Sequence, residues 1–246
     1  MPRYFAELAY DGTQYCGWQR QQHSISIQET LEKNLSTILR KDTEITGCGR
    51  TDTGVHASQY YFHFDSDIVL TEKEKRSLVK MQPKDIAIKR IFIVSDTMHA
   101  RYSALTRRYN YFIEKGHNPF NQKYTYQYYS SKLLDVEKMN EASNLLLSYD
   151  SFFSFCKSGS QVDHYRCKLM VAEWREEKTQ IIFDIQSNRF LRGMVRLIVG
   201  MCILVSKGML ELDDVKLAMD QQKRLVKDYT SPAQGLFLTE IKYPEF

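Results

Sequence analysis

Ser26-Ile27-Gln28-Glu29-Thr30-Leu31-Glu32-Lys33-Asn34-Leu35-Ser36-Thr37-Ile38-Leu39 opens on a helix-starting signal and then carries its apolar residues at helical spacing. The Ser26 side chain can satisfy a free backbone N–H while Glu29, three residues on, reaches back, which is a capping box. Ile27, Leu31, Leu35, Ile38 and Leu39 fall on one face, and Glu32, Lys33 and Arg40 are expected in water. Ahead of this helix, Arg3 to Ala9 alternates like a strand and Asp11-Gly12 marks a turn. Behind it, strands are predicted near Thr43 to Thr46, Ser58 to Phe64 and Ile86 to Val94, with a second capped helix near Thr71 to Lys80. The resulting order, β-α-β-β-α-β, is a split unit that packs two helices on one face of an antiparallel sheet.

The second half reads in a related way. Strands are predicted at Arg107 to Lys115 and, briefly, near Tyr124 to Tyr129, followed by a helix around Val136 to Leu147. Strands near Tyr165 to Trp174 and Thr179 to Ile185 lead to a helix from about Phe190 to Ser206, ended by Lys207-Gly208. A helix near Asp213 to Gln222 and a strand from Leu236 to Tyr243 complete it. The expected fold class is therefore α+β: two related βαββαβ-like units with mainly antiparallel sheets, helices on one face and an active-site cleft between the units. The boundary falls near Ser103 to Thr106, giving an N-terminal domain of residues 1–104 and a C-terminal domain of residues 105–246.

With 246 residues, 43% of them hydrophobic and 26% charged, the chain has enough material for one large core or two small ones. No secretory signal is evident at the N-terminus, and the longest apolar run, Leu197 to Val205, is far short of the roughly 20 residues that span a bilayer. Five scattered cysteines without a Cys-x-x-Cys pair suit a reducing cytoplasm better than a disulfide framework. His164 and Cys167 offer only half a metal site, and structural zinc needs four ligands. A net charge of +4 is too mild to identify a nucleic-acid binder. The distribution says more: tyrosines sit among cations, as in Arg107-Arg108-Tyr109-Asn110-Tyr111, where a ring can stack on a base or simply line a core.

Two constellations carry chemistry. The first is Gly47-Cys48-Gly49-Arg50-Thr51-Asp52-Thr53-Gly54-Val55-His56-Ala57, a shaped loop in which Arg50 and Asp52, if extended, leave the same face. Asp52 either caps the Thr53-Gly54 turn, locks an anion-binding arginine, or attacks an electrophilic carbon. The second is Arg189, Arg192 and Arg196, spaced by three and four, expected as one basic stripe on a helix whose other side is apolar. Phosphates or a carboxylate are natural partners of such a stripe, and a plain solvated face is the alternative. Walker loops, zinc-ligand pairs and Gly-x-Ser-x-Gly elbows are missing from the sequence.

The chain resembles the TruA-type tRNA pseudouridine synthases, the tRNA pseudouridine synthase I family, essentially from end to end. Tyr10-Asp11-Gly12-Thr13, Tyr15 and Gly17-Trp18-Gln19-Arg20 match the family's opening motif, and Gly49-Arg50-Thr51-Asp52 with Gly54-Val55-His56-Ala57 its catalytic loop. His99-Ala100-Arg101 with Ser103-Ala104, Arg108-Tyr109 with Tyr111, Phe152, Ser154-Phe155, Phe190-Leu191-Arg192, Met194-Val195-Arg196 and Gly235-Leu236-Phe237-Leu238 follow in the family's order. Departures are Thr53 for the usual Ala, Gly193 for a common His, and Met81-Gln82-Pro83 for Asn-Leu-Pro.

The resemblance implies an isomerase that needs no cofactor or metal and converts uridine to pseudouridine at tRNA positions 38, 39 and 40 in the anticodon arm. It implies Asp52 as nucleophile, Arg50 as support for a flipped-out nucleotide, Tyr109 against the uracil and Arg196 as the partner orienting Asp52; Arg192, from the basic stripe, and Arg20 are further candidates for binding the RNA. It also implies a cytoplasmic homodimer with no membrane association.

Overall fold

The computed structural model describes residues 1–129, 134–160 and 162–245, which divide into two units: Met1–Leu105 with Phe237–Phe246, and Thr106–Leu236. The last strand thus belongs, apart from its first residue, with the N-terminal unit.

In unit 1, strands β1 (Arg3–Tyr10), β2 (Thr46–Gly47), β3 (His56–Asp65) and β4 (Ile86–Val94) and helices α1 (Ile27–Leu39) and α2 (Glu72–Lys80) occur in the expected order. β1 lies between β4 and β3, antiparallel to both, and the C-terminal strand, Leu236–Lys242, pairs parallel to β3 through His56↔Phe237 and Ala57↔Leu238. Alternation along β1 sends Tyr4 against Phe64 and Phe5 against His63, Phe92 and Tyr243. Glu7 is buried on this strand. Burial opposes its charge, but Arg90 at 2.6 Å, Gln59 at 3.2 Å and the Tyr61 hydroxyl at 2.9 Å outweigh it and lower its pKa.

Three local expectations for this unit change. Glu29 N donates to Ser26 Oγ at 3.2 Å, so Ser26 is the N-cap of α1, but the reciprocal box forms at α2, where Thr71 and Glu74 bond each other. Glu32 is buried rather than solvated, because its carboxylate accepts from Gln28 Nε2 at 2.9 Å and Ile45 N at 3.2 Å. The strand expected at Thr43 to Thr46 shrinks to Thr46–Gly47; Thr43 N turns to Ser36 Oγ instead.

Unit 2 contains β5 (Thr106–Lys115), β6 (Tyr126–Tyr128), α3 (Val136–Leu145), β7 (Leu169–Glu176), β8 (Gln180–Ser187), α4 (Met194–Ser206) and α5 (Leu212–Asp220); the C-terminal strand is β9. β8 lies antiparallel between β5 and β7, and β6 joins β5 in parallel. Apart from Arg196, α4 is apolar on every side until its last residue and is buried along nearly its whole length, the expected fate of a helix without a continuous polar face. Arg108, beside Tyr109, clasps the buried Asp184 of β8 with Nε at 2.7 Å from Oδ1 and Nη2 on Oδ2. Both units mix helices with mainly antiparallel strands, an α+β fold.

A Cβ on Gly200 would lie 1.5 Å from the Tyr229 carbonyl oxygen, so α4 touches this backbone directly. Gly200→Ala is expected to destabilise unit 2 by about 3 kcal/mol or more, the upper end of core overpacking, read as a lower denaturant midpoint.

Burial, with His99 and Arg3 nearby, pushes the His63 pKa down to about 4, and the ring accepts from Ala100 N at 3.1 Å. A lowered histidine pKa means the unfolded chain binds the proton first, so this stabilisation is full above pH 6.5 and lost as pH falls toward 4. The loss is about 3 kcal/mol at most. His63→Gln should flatten that part of the stability profile by about one proton in urea titrations across the interval.

Candidate active site

The Asp52 loop is shaped by the segment around Tyr10 to Trp18. Gly17 adopts φ +93°, and a Cβ there would lie 2.2 Å from the Thr51 carbonyl oxygen. That close approach lets Trp18 N donate to Thr51 O at 3.3 Å, while Tyr10 and Thr51 share a buried hydroxyl bond of 2.8 Å. Upstream, the Tyr60 hydroxyl donates to Gly49 O, and the Tyr60 ring is stacked on Trp18 with centroids 4.0 Å apart. Downstream, Gly54 N donates to Tyr15 O at 3.3 Å, and Gly12 N donates to His56 Nδ1 at 3.1 Å. His56 is buried and stacked on Phe237 at 4.5 Å.

Asp52 is consequently fixed through its backbone. The turn over Thr53-Gly54 is closed by Val55 N donating to the main-chain oxygen of Asp52 at 3.1 Å, so this closure does not use the carboxylate. Asp52 is half-buried, while Arg50 and Thr53 are exposed. Arg50 to Asp52 lie outside any strand, between β2 and β3. Arg20, also in unit 1, is exposed and lies 3.6 Å from Glu32 and 3.9 Å from Glu29, a solvent-screened pairing along α1.

In unit 2, Tyr109 is 9% exposed on β5 and meets Phe190 edge to face, with ring centroids 5.1 Å apart. Arg196 is held from both ends. Its Nε donates to Ser231 O at 2.8 Å, and its own carbonyl accepts from Ser231 N at 3.2 Å and Ser231 Oγ at 3.1 Å. Arg192 is exposed, with its carbonyl accepting from Lys157 N at 2.9 Å. The arginine stripe is not formed. Gly193 at φ +71° is the N-cap, α4 begins at Met194, and only Arg196 of the three lies on the helix. Arg189 instead reaches the His164 ring at 3.1 Å.

Several residues that build these positions carried no role in the sequence reading. Tyr60 looks like an ordinary core aromatic, and Trp18 is only a letter of the opening motif, until the fold stacks the two rings and sets the Tyr60 hydroxyl on Gly49. Asp184 left a trace: a lone carboxylate in the apolar run Ile181-Ile182-Phe183-Asp184-Ile185 demands a buried partner, which is Arg108. Ser231 left none. Among the described residues no three His, Cys, Asp or Glu side chains gather as a metal site. Cys167 is buried, which pushes its thiol pKa up to about 11.

A family model described as tRNA pseudouridine synthase matches residues 150–244. Whole-length similarity extends to the tRNA pseudouridine synthase A of Bacteroides fragilis, 44% identical over 99% of this chain and 97% of that protein. The proteins of the same name from Bacteroides thetaiotaomicron, 43% identical over 100% of this chain and 92% of the relative, and Azobacteroides pseudotrichonymphae, 40% identical over 100% and 98%, are similar throughout as well. Similarity of this extent spans both the Asp52 loop and the unit bearing Tyr109 and Arg196, and the chain belongs to the tRNA pseudouridine synthase family.

Proposed function

We propose that the chain converts uridine to pseudouridine at positions 38, 39 and 40 in the anticodon arm of tRNA, with Asp52 as nucleophile on an extruded nucleotide. Family membership carries the coarser statement, that the chain is an isomerase of uridine in tRNA. The observation that supports the finer reading is the backbone around Asp52, held by Trp18 N on the Thr51 carbonyl and by Val55 N on its own carbonyl while the side chain stays half-buried. A nucleophile placed this way loses little orientational freedom on reaction.

The chemistry sets the remaining demands. The N1–C1′ bond breaks, the uracil turns over, C5 joins C1′, and the hydrogen at C5 leaves as a proton while N1 gains one. Electrons balance without an oxidant or reductant, so the reading needs no cofactor. A stacked base is out of reach of a carboxylate, so the nucleotide must leave its stack at a cost of roughly a few kcal/mol, offset by phosphate contacts and aromatic stacking. In this reading Arg50 supports the extruded state, and Tyr109, its ring fixed by Phe190, lies on the uracil. Arg196 orients Asp52, with the Ser231 carbonyl on its Nε setting the direction of the guanidinium. Arg192 and Arg20 contact phosphates. The reading includes a homodimer acting in the cytoplasm; no helix among the described residues is long and apolar enough to cross a membrane.

Asp52→Ala is expected to lower turnover by a factor on the order of 10³ or more while folding and tRNA binding persist. Tritium release from tRNA labelled at uracil C5 measures this, and normal release by the variant would remove Asp52 from its role. Arg192→Ala should weaken tRNA binding and reduce the slope of log K against log salt by about 0.7 to 0.9, the share of one phosphate contact. An unchanged slope would exclude Arg192 from the phosphate contacts.

A further inference from the structure

We propose that Tyr102, with Arg101 against it, is a stacking site for an unpaired base of the RNA substrate, separate from the Asp52 loop. The inference rests on the tRNA reading above. Tyr102 is 76% exposed, and the turn that carries it is tied by a set of hydrogen bonds. Ser103 N donates to His99 O and His99 N to Ser103 Oγ, both at 2.9 Å, closing a tight turn on itself. Inside the turn, the backbone N–H groups of Arg101 and Tyr102 both donate to His99 Nδ1, at 3.1 and 3.2 Å. Ala100 fastens the turn to the unit: it is fully buried, its N–H donates to His63 Nδ1 at 3.1 Å, and its carbonyl accepts from the Tyr243 hydroxyl.

The exposed ring is held from the side as well. The His99 ring lies 4.4 Å from it at 37°, and the Arg101 guanidinium carbon stands 5.5 Å from its centroid. His99 must stay neutral to accept two N–H donors on Nδ1; burial, with Arg3 and Arg101 nearby, shifts its pKa in that direction. A π-face in water, a cation beside it and a backbone that cannot move away are what an unstacked base requires. The ring supplies stacking, the guanidinium favours the adjoining phosphate, and little ordering remains to be done on binding. Every base has a π-face, so such a site tolerates any sequence.

Direct binding of fluorescently labelled tRNA to the full chain tests this without reference to turnover. Tyr102→Ala and Tyr102→Leu are both expected to weaken binding about tenfold, because Leu keeps apolar bulk but lacks the π-face, whereas Tyr102→Trp retains the parent affinity. A fully paired RNA duplex should bind the parent and Tyr102→Ala equally. Equal tRNA affinity for the parent and Tyr102→Ala overturns the stacking site alone; a parent that binds no tRNA overturns the functional reading together with it. A loss of affinity that follows a change in oligomeric state, measured by sedimentation, would assign Tyr102 to a contact between copies and also overturn the proposal.

Discussion

The close passage of Gly17 over the Thr51 carbonyl is the constraint on which the candidate active-site loop depends. A side chain at position 17 would occupy the space of that oxygen, and the hydrogen bond from Trp18 would be lost with it. Because Trp18 also carries Tyr60 on its ring, and Tyr60 carries Gly49 on its hydroxyl, one backbone contact couples both ends of the loop to the unit 1 core. Tyr10 adds a hydroxyl contact to Thr51 from β1. A loop closed mainly by hydrogen bonds would open readily in water. This one is packed on three aromatic rings that bury large apolar surfaces, so its opening costs core packing as well.

Unit 2 solves a different problem, holding polar groups in a largely apolar setting. Asp184 and Glu114 are both buried, and each receives several donors: Arg108 for the first, and Asn118, Asn121 and Gln180 for the second. Removing one partner from such a group leaves a buried carboxylate short of donors, which costs more than the bond itself contributes. The fork on Asp184 therefore keeps Arg108, and with it the strand position of Tyr109, in one arrangement. The Arg196 guanidinium is anchored on the main-chain oxygen of Ser231, a contact that does not use the Ser231 side chain.

Where local chemistry decides, the sequence was a sound guide. The Ser26 and Thr71 caps start their helices as expected, and the alternation of Ile86 to Val94 marks β4 to its ends. Its failures have two causes: a partner outside the local pattern for Glu32, and a backbone turn at a glycine for the arginines. Glu32 lies on the face read as solvated, but Ile45 N and Gln28 compensate its burial. The three- and four-residue spacing of the arginines reads as a stripe only if the helix already exists at Phe190, and a left-handed Gly193 delays it to Met194. In the site, the Asp52 loop stood out for its glycines and charges, whereas the aromatic support of Tyr60 and Trp18 depends on residues far apart in the chain. The roles proposed for Arg50, Asp52, Tyr109 and Arg196 come from resemblance, since spacing alone leaves Asp52 open between turn, anion lock and nucleophile.

β9 gives the molecule a temporal order. During synthesis the chain completes β3 early, but Phe237 and Leu238, which pair with His56 and Ala57, emerge only after all of unit 2. At ribosomal rates of about 5–20 residues per second, that delay is on the order of ten seconds. Throughout it His56, four residues from Asp52, lacks the Phe237 ring that covers it in the finished fold. A nascent or truncated chain thus carries the Asp52 loop with His56 still bare of Phe237, a cover that arrives only with β9.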